Sequence, residues 1–351
     1  MSLYSKDVVR EDMERMAASQ MVPFEMLRDK TILITGATGM LALYMTYACM
    51  YMNERENLNI RVLALVRNEK KAQDRFAEFL GKPNFTIYAQ DVCEPLRVID
   101  HVDYIVHAAG AASPFFIKND PVGIVSANTV GTMNVLEFAR QTGAIKTIFL
   151  STREIYGEVK GAEWIREEDM GILDPAESRS CYPESKRMAE QIFKSYYNQY
   201  GVPYVVARIA HSYGPGMIIE NDGRVMADFI CDTVHGRDII MKSEGLAERA
   251  FCYITDAVSA LFLILLKGEV TQAYNVANET EAKAIREVAQ MLVDLFPGDG
   301  RKLIFDIQTD TSGYCAYKRV GLATAKLEKL GWRPQVDLEQ GLVSTVKSFM
   351  E

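Results

Sequence analysis

Residues 31–42 read TILITGATGMLA, and this stretch decides the fold. Its first five residues are apolar and β-branched, as in a buried strand, and a long apolar helical segment follows the glycines. Glycines at a strand-to-helix turn let the backbone approach a pyrophosphate, whose charge is stabilised at the helix N-terminus. Gly36, Gly39 and Ala42 occupy the three positions of that motif. The stretch therefore predicts a dinucleotide site.

Segments typical of strands and helices alternate from this stretch onward. Apolar β-branched runs predict further strands at residues 61–66, 85–89, 102–106, 145–150 and 204–208. Such alternation predicts an α/β fold, a Rossmann-type doubly wound parallel sheet. Beyond residue 210 the pattern is less regular, which predicts a smaller mixed C-terminal substrate domain.

Three segments are expected along the chain. Residues 1–28 are predicted to form an N-terminal extension with a helix over residues 11–18. Residues 29–210 are predicted to form the dinucleotide-binding domain, to which part of residues 236–260 returns. Residues 211–351 are predicted to form the domain that binds the substrate.

The composition is that of an ordinary soluble globular protein. Of the 351 residues, 48% are hydrophobic and 25% are charged, and the formal net charge is −8. An acidic balance argues against nucleic acid as the main partner. The longest apolar runs, at 40–52 and 257–266, are shorter than the roughly 18–20 residues that cross a bilayer. No signal peptide is visible, so we expect a cytoplasmic protein with no membrane partner.

The cysteines show no metal-binding pattern in the sequence. None forms a CxxC pair or a recognisable cluster with one of the four histidines, so no metal site is expected. Reduced, mostly structural thiols in a cytoplasmic protein are the expectation. The six are Cys49, Cys93, Cys181, Cys231, Cys252 and Cys315.

Tyr182 and Lys186 lie four residues apart in the segment CYPESK, residues 181–186. On a helix this spacing places both side chains on one face. A nearby ammonium group lowers the pKa of a phenol, which otherwise lies near about 10. The pair can then take a proton from a hydroxyl if something accepts the hydride. Thr152, just past the strand at 145–150, supplies a third polar group where open α/β sheets bind ligands.

The residues that follow the other strands bear on the cofactor. NAD-binding proteins normally end the second strand with an acid that holds the ribose hydroxyls, but Arg67 stands in that region. Arg67 could meet a 2′-phosphate, stack on adenine or face solvent, so NAD and NADP both stay open. Asp91 could accept a hydrogen bond from the adenine amino group. His107 precedes small residues and is expected to be structural rather than catalytic.

Several short motifs occur together in a fixed order: TGATG (35–39), DV (91–92), HAA (107–109), NTVGT (128–132), YG (156–157), Tyr182 to Lys186, and YGP (213–215). As a set they resemble the extended short-chain dehydrogenase/reductases of the NAD-dependent epimerase/dehydratase family, which modify nucleotide sugars. Four more stretches resemble the UDP-glucuronate decarboxylase subgroup: DVCEPL (91–96), ASP (112–114) with DP (120–121), NDGRV (221–225) and RAFCY (249–253).

The resemblance implies a role for each matching residue. Tyr182 would be the general base toward the sugar C4 hydroxyl, and Lys186 would lower its pKa and bind the nicotinamide ribose. Thr152 would hydrogen-bond the C4 oxygen, and Glu154 would act at the sugar. The residues implied at the cofactor are Gly36, Thr38, Gly39, Met40, Arg67, Asp91, Val92, His107, Ala108, Ala109, Asn128 and Lys186. Those implied at the substrate are Ser113, Arg153, His211, Arg224 and Arg249, with Arg249 on the diphosphate.

One oxidised intermediate can serve three reactions. A C4 ketone acidifies C5, so a C5 carboxylate can leave as carbon dioxide, a C6 hydroxyl can be eliminated as water, or returning hydride can invert C4. The resemblance favours UDP-glucuronate decarboxylation. The alternatives are a 4-epimerase, a 4,6-dehydratase, a 4-keto reductase, or a non-catalytic dinucleotide-binding module.

Two residues depart from the family pattern. Arg153 stands where dehydratases have an aspartate that protonates the departing hydroxyl, and arginine cannot donate that proton at neutral pH. It could recognise a carboxylate or point away from the site. His211 stands where the family usually has asparagine. Family members commonly pair two helices per subunit, so the helices at 128–142 and around Tyr182 predict a homodimer.

Overall fold

The computed structural model describes residues 2–298, 300–307 and 320–351. Cys315 lies outside the described residues, and the other five cysteines are free thiols. The strands are β1 (Thr31–Thr35), β2 (Arg61–Val66), β3 (Phe85–Ala89), β4 (Tyr104–His107), β5 (Lys146–Thr152), β6 (Trp164–Ile165), β7 (Tyr204–Ile209), β8 (Ser212–Tyr213), β9 (Ile239–Met241), β10 (Glu248–Ala250), β11 (Cys252–Tyr253), β12 (Ala273–Val276), β13 (Ala282–Ala284), β14 (Leu303–Phe305) and β15 (Gly321–Leu322).

The α-helices are α1 (Asp7–Ala18), α2 (Met40–Glu56), α3 (Glu69–Arg75), α4 (Pro114–Asn119), α5 (Pro121–Thr142), α6 (Cys181–Tyr200), α7 (Val225–Val234), α8 (Ile254–Lys267), α9 (Ile285–Leu295), α10 (Ala325–Glu328) and α11 (Leu338–Met350). Within the described ranges, none of these helices has the length and apolarity needed to cross a membrane.

A seven-stranded parallel sheet forms the centre of the molecule, with the order β12-β7-β5-β4-β1-β2-β3. β1 pairs with β2 on one side and with β4 on the other, so the winding direction reverses between β1 and β4. In doubly wound sheets, ligands bind outside the strand C-termini at this reversal. The predicted Rossmann-type fold is confirmed, and β1, β2 and β3 have the predicted bounds.

The boundary of α5 differs from the prediction. The helix was expected to begin near Asn128, but it begins at Pro121. The Asp120 side chain caps it by accepting a hydrogen bond from the Gly123 amide at 3.1 Å, and proline suits the first helical position because it needs no amide hydrogen there. The extra turns bring Ile124 of α5 into the apolar cluster around Tyr182.

The segment that returns to the sheet extends beyond the predicted one. Part of residues 236–260 was expected to contribute, and α8, which begins there, lies against the sheet, but the added strand is β12, which pairs in parallel with β7 along its whole length. The buried helix α8 precedes β12 and packs against β5 and β7. The remaining C-terminal strands form two-stranded pairs, as expected for a smaller mixed region.

The N-terminal extension packs on the body of the molecule. Its helix α1 is longer than predicted and buries Met13 and Met16. The buried Asp12 carboxylate accepts hydrogen bonds from the hydroxyls of Tyr44 at 2.9 Å and Tyr253 at 2.8 Å. Because Tyr44 lies on α2 and Tyr253 on β11, the extension joins the glycine-turn helix to the C-terminal half.

Candidate active site

The turn between β1 and α2 has the geometry of a dinucleotide cradle. Gly36 has a φ of 63°, and a Cβ at this position would lie 2.8 Å from the Cα atom of Ala109. Gly39 is the N-cap of α2, which Met40 opens, and no side chain caps the helix. The first amides of α2 are therefore available to a phosphate. Thr38 is half-buried in the same turn.

A buried polar atom without a partner lies farther along the same edge of the sheet. Asn128 donates from Nδ2 to the Ser185 hydroxyl at 3.0 Å, while its Oδ1 is buried and has no hydrogen-bond partner among the described residues. A Cβ on Gly110 would lie 2.7 Å from this oxygen and 3.7 Å from Lys186 Nζ. An orphaned buried acceptor is costly unless a ligand donates to it, so these residues fit a bound nicotinamide dinucleotide.

His107 holds the strand ends together. Thr132 donates to the Asn128 carbonyl at 2.6 Å, so it accepts from His107 Nε2 at 3.0 Å. His107 Nδ1 then accepts from the Thr35 hydroxyl at 3.0 Å, and the Ala109 amide donates to that hydroxyl. Burial, and secondarily the charge of Lys186, lowers the His107 pKa to about 3. His107 is therefore a neutral structural residue, as predicted.

Lys186 is almost fully buried and has no carboxylate in direct contact among the described residues. Its Nζ donates to the Leu150 carbonyl at 2.8 Å and lies 4.5 Å from the centre of the Phe149 ring. Burial lowers the Lys186 pKa to about 7, although the charge of Glu190 opposes this. The ammonium group is thus poised to change its charge near neutral pH.

Tyr182 lies one turn before Lys186 on the same face of α6 and is also buried. Burial and then the charge of Glu154 raise its pKa above the ordinary value for tyrosine. A hydrogen bond with Thr152 and the charges of Arg179 and Arg224 act in the opposite direction. The predicted lowering of the Tyr182 pKa by Lys186 is not found: the charges that favour the phenolate come from Arg179 and Arg224, and desolvation outweighs them.

Glu154 is the carboxylate of this cluster. Arg179 donates to both of its oxygens, from Nη1 at 2.8 Å and from Nη2 at 2.9 Å. Burial raises the Glu154 pKa, against the charges of Arg179 and Arg153. Arg153 does not point away from the site: its Nη1 lies 3.4 Å from His211 Nε2 and its Nη2 donates to the Val320 carbonyl at 3.2 Å.

Two of the candidate substrate residues, Ser113 and Arg224, lie in loops that touch each other. Arg224 pairs with the buried Asp222. In the same loop a Cβ on Gly223 would lie 3.3 Å from the Cβ atom of Pro114, so the loop touches the start of α4, of which Ser113 is the N-cap. Ser113 and Arg224 therefore lie close together, and the charge of Arg224 reaches Tyr182.

The last two substrate candidates follow β7. His211 has a φ of 24°, which is uncommon for a residue with a side chain, and its ring centre lies 5.9 Å from that of Phe251. Arg249 lies on β10, where its Nη1 donates to the Glu248 carbonyl at 2.7 Å. Among the described contacts, none joins Arg249 to the cluster around Tyr182.

The cofactor candidates that follow β2 and β3 differ in their contacts within the protein. Arg67 is exposed just past β2. Asp91 accepts from the Cys93 amide at 2.8 Å, and the Val92 carbonyl accepts from Asn134 at 3.0 Å. Gly131 packs tightly on Val92. Ala108, like Ala109, donates its amide to the Thr35 hydroxyl.

Sequence reasoning missed a buried ion pair directly beside the site. Glu190, one turn after Lys186 on α6, accepts from Arg208 Nη2 at 2.7 Å and from the Ser151 hydroxyl at 2.6 Å. Arg208 also donates to the Tyr156 hydroxyl at 3.0 Å. Burial works against the charged form, yet Glu190 and Tyr156 raise the Arg208 pKa. The i, i+4 spacing of Lys186 and Glu190 was the available signal.

Arg179 was also missed, although it stands three residues before Tyr182. Its short 3₁₀ turn, Ser178–Ser180, leads directly into α6 and places the guanidinium over Glu154. The cluster thus contains Tyr182 and Thr152, one carboxylate, and the guanidinium groups of Arg153, Arg179 and Arg224. Such an arrangement can move a proton at a hydroxyl and hold an anionic ligand.

The chain matches known proteins along most of its length. A model described as the NAD dependent epimerase/dehydratase family matches residues 32–277. UDP-glucuronic acid decarboxylase 6 of Arabidopsis thaliana is 33% identical over 319 residues, 91% of this chain and 88% of that protein. UDP-glucuronic acid decarboxylase 1 of Xenopus tropicalis is 34% identical over 345 residues, 97% and 77% of the two proteins.

A solved structure agrees with the fold. UDP-glucose 4-epimerase from Thermotoga maritima aligns with a TM-score of 0.76 at 22% identity, covering 91% of this chain and 98% of the other. At this identity the likeness supports the shared architecture alone. The resemblance inferred from the motifs is confirmed by the match to the family model and by the two relatives.

Proposed function

The chain belongs to the NAD dependent epimerase/dehydratase family, and we propose that it oxidises a nucleotide-bound sugar at C4 and releases carbon dioxide from it, with UDP-glucuronate as the substrate. The two relatives named above are UDP-glucuronic acid decarboxylases by name, which supports this substrate. The cofactor of the family is NAD, and the residues at the glycine turn and at Asn128 fit it.

The observation that carries the proposal is the imbalance of charge around Tyr182. Three guanidinium groups, from Arg153, Arg179 and Arg224, act electrostatically on Tyr182 or Glu154, against two carboxylates, Glu154 and the Asp222 that pairs with Arg224. Planar guanidinium groups suit carboxylate and phosphate oxygens. A substrate that carries both a diphosphate and a C5 carboxylate would match this excess of positive charge.

The residues then have defined tasks. Bound NAD supplies the hydride acceptor. Tyr182 takes the proton of the C4 hydroxyl, and Thr152 holds the oxygen beside it. Lys186 adds positive charge when protonated, which helps the phenolate that burial disfavours. Arg153 and Arg179 hold the C5 carboxylate beside Glu154 until the C4 ketone allows its loss.

The proposal is tested by incubating the protein with NAD and UDP-glucuronate and measuring carbon dioxide and the mass of the nucleotide sugar. We expect carbon dioxide release and a pentose product, formed when the hydride taken from C4 returns to that carbon after the carboxylate has left; if the hydride does not return, a 4-keto pentose and one equivalent of reduced cofactor form instead. UDP-glucose is the matched control because it lacks the carboxylate, and no carbon dioxide should form from it. If UDP-glucuronate stays unchanged while another member of a UDP-, dTDP-, GDP- and CDP-sugar panel is converted, the substrate assignment is wrong.

The same panel separates the other reactions. An unchanged mass with inverted C4 identifies an epimerase, loss of water a 4,6-dehydratase, and net consumption of reduced cofactor a 4-keto reductase. Arg153 makes dehydration the least favoured, since no carboxylic acid occupies the position that protonates the departing hydroxyl. If NAD binds but none of these sugars is converted, the chain acts as a dinucleotide-binding module instead.

We also propose that two copies pair through α5 and α6. The apolar residues of these helices differ in exposure: Val135, Leu136 and Phe193 are buried within the chain, whereas Met188 is exposed. Exposed apolar residues on α5 include Val122, Val125, Val130 and Met133. Light scattering coupled to size exclusion would measure the mass. Charged substitution of both Met133 and Met188 should then yield monomers.

A further inference from the structure

A second cluster of reactive side chains lies away from Tyr182, at the C-terminal end of α7. Glu220, Cys231 and His235 each offer one ligand atom, and these atoms all lie within 4.8 Å of one another. Cys231 and His235 are one helical turn apart, and Glu220 comes from the loop before α7. From the sequence, no cluster of a cysteine with a histidine was expected, because the four-residue spacing of Cys231 and His235 was overlooked and Glu220, just before the NDGRV stretch, meets them only in three dimensions.

The distances in this cluster approach those of a tetrahedral metal site. His235 Nε2 lies 3.5 Å from Glu220 Oε1, and ligand atoms of all three residues lie within 4.8 Å of one another. Zinc bonds of about 2.0–2.3 Å to nitrogen, oxygen and sulfur place tetrahedral ligand atoms about 3.3–3.6 Å apart. Glu220 and His235 are exposed, so small rotations would complete the approach.

The surroundings prepare the imidazole and the thiol for a cation. His235 Nδ1 lies 2.8 Å from the Cys231 carbonyl oxygen and donates to it, which leaves Nε2 as the unprotonated nitrogen. A backbone carbonyl that fixes the tautomer in this way is the usual outer partner of a metal-bound histidine. Arg237, itself paired with Asp232, donates from Nη2 to Cys231 Sγ at 3.3 Å, and this contact opposes the rise in the thiol pKa that burial causes.

We propose that Glu220, Cys231 and His235 bind one Zn²⁺ ion, with the fourth position left to water. Thiolate, imidazole and carboxylate are all zinc ligands, and the combination of sulfur with nitrogen disfavours magnesium and calcium. Binding releases the Cys231 thiol proton to solvent and changes no oxidation state.

Such an ion would have a structural consequence for the neighbouring loop. It would tie Glu220 to the last turn of α7, and the residues after Glu220 lead through Asp222 to Arg224, the N-cap of that helix. The loop would then be held at both of its ends, by the ion on one side and by α7 on the other. The site itself is independent of the proposed sugar chemistry.

Zinc binding is measured on the full chain after treatment with chelator and reloading with zinc chloride, and again with Co²⁺ as a spectroscopic probe. We expect about one bound zinc per chain, a rise in melting temperature with zinc, and a thiolate-to-cobalt charge-transfer absorption. Cys231→Ser should abolish that absorption, and His235→Gln or Glu220→Gln should weaken zinc binding by at least about ten-fold.

Matched controls make the outcome decisive. His101→Gln removes an exposed histidine that also lies near a carboxylate, 3.6 Å from Asp103, and Cys93→Ser removes another partly buried thiol. Both should bind zinc like the parent protein. The proposal is overturned if the parent binds no stoichiometric zinc, if Cys231→Ser binds it equally well, or if the His101→Gln control loses as much. Circular dichroism verifies that every variant is folded.

Discussion

Two neighbouring parts of one helix face are built in opposite ways. Tyr182, Lys186 and Glu190 follow one another at four-residue intervals on α6. Lys186 is buried against a backbone carbonyl and an aromatic ring, and its pKa is lowered to about 7. One turn later, Glu190 is bound by Arg208 and Ser151, and the Arg208 pKa is raised.

On the single helix α6, Lys186 is therefore suited to a reaction and Glu190 to stabilising the fold. A buried charge without a counter-ion in contact is expensive, but it can change its protonation state where a reaction needs this. A buried charge that is fully paired resists any change and fixes the packing around it. Glu190 is a charge of this paired kind. Its negative charge also acts on Lys186 and raises the Lys186 pKa against the effect of burial.

The largest effect is expected at Tyr182. Tyr182→Phe removes the hydroxyl that takes the C4 proton, and loss of such a group costs about 10²–10⁴-fold in rate. The ring still fills its apolar site between Ile117 and Ile124, so the melting temperature should change little. Turnover of the identified substrate measures the first effect and calorimetry the second. Turnover that survives unaltered would show that Tyr182 is not the base.

The next largest effect is expected at the ion pair of Glu190 with Arg208. Glu190→Gln leaves the Arg208 guanidinium buried without its counter-charge, and breaking a buried pair in this way costs about 3–5 kcal/mol. Glu137→Gln is the matched control, because Glu137 forms a two-pronged pair with Arg140 on the exposed side of α5. Breaking an exposed pair costs about 0–1 kcal/mol.

Denaturant unfolding of both variants measures this contrast. If Glu190→Gln is no less stable than Glu137→Gln, the buried pair does not fix the packing. Replacing Glu190 and Arg208 together by apolar residues of similar size should recover part of the lost stability, because no unpaired charge then remains.

Smaller effects are expected at two adjacent residues at the end of β5, Ser151 and Thr152, one on stability and the other on turnover. Ser151 donates to Glu190, so Ser151→Ala should cost about 1–3 kcal/mol of stability, the range for hydrogen bonds to charged groups, and leave turnover nearly intact. Thr152 is bonded to Tyr182, so Thr152→Val should lower turnover and change stability less. The result would contradict this division if both changes affected the same quantity equally.

Features formed by residues close together in the sequence could be predicted, whereas contacts between residues far apart in the sequence could not. The strand and glycine turn at residues 31–42 are local, and so is the spacing of Tyr182 and Lys186, which explains why they could be predicted. Glu190 meets Arg208 only because β5 and β7 are neighbours in the sheet and α6 packs against them. The neighbour of β7 on its other side, β12, lies beyond the segment that was expected to return to the sheet.

The substrate side was harder for a related reason. The roles of Arg153 and His211 depend on loops from separate parts of the chain that meet only in three dimensions, as at the contact between Arg153 and Val320. Arg179 was within reach of local reasoning, but nothing in its own sequence indicates that it would turn toward Glu154 rather than solvent. Residue type alone does not encode that direction.

The last expected effect isolates the burial of Lys186. A lysine in the unfolded chain keeps its proton up to its ordinary pKa of 10.5, whereas the folded pKa is about 7. Between these values the unfolded state binds more protons, so this lysine makes stability rise with pH, by up to about 1.4 kcal/mol per pH unit. Below pH 7 both states are protonated, and the full cost of burying the charge remains.

Lys186→Met should therefore be more stable than the parent at and below pH 7, with an advantage that shrinks as the pH rises toward 10. Urea unfolding of the parent and the variant at a series of pH values measures the difference, since other titrating groups cancel between them. Lys194→Met, an exposed position on the same helix, should show no such trend. Parallel curves for the parent and Lys186→Met would mean that Lys186 keeps its charge when buried, and the contrast with the Glu190–Arg208 pair would lose its basis.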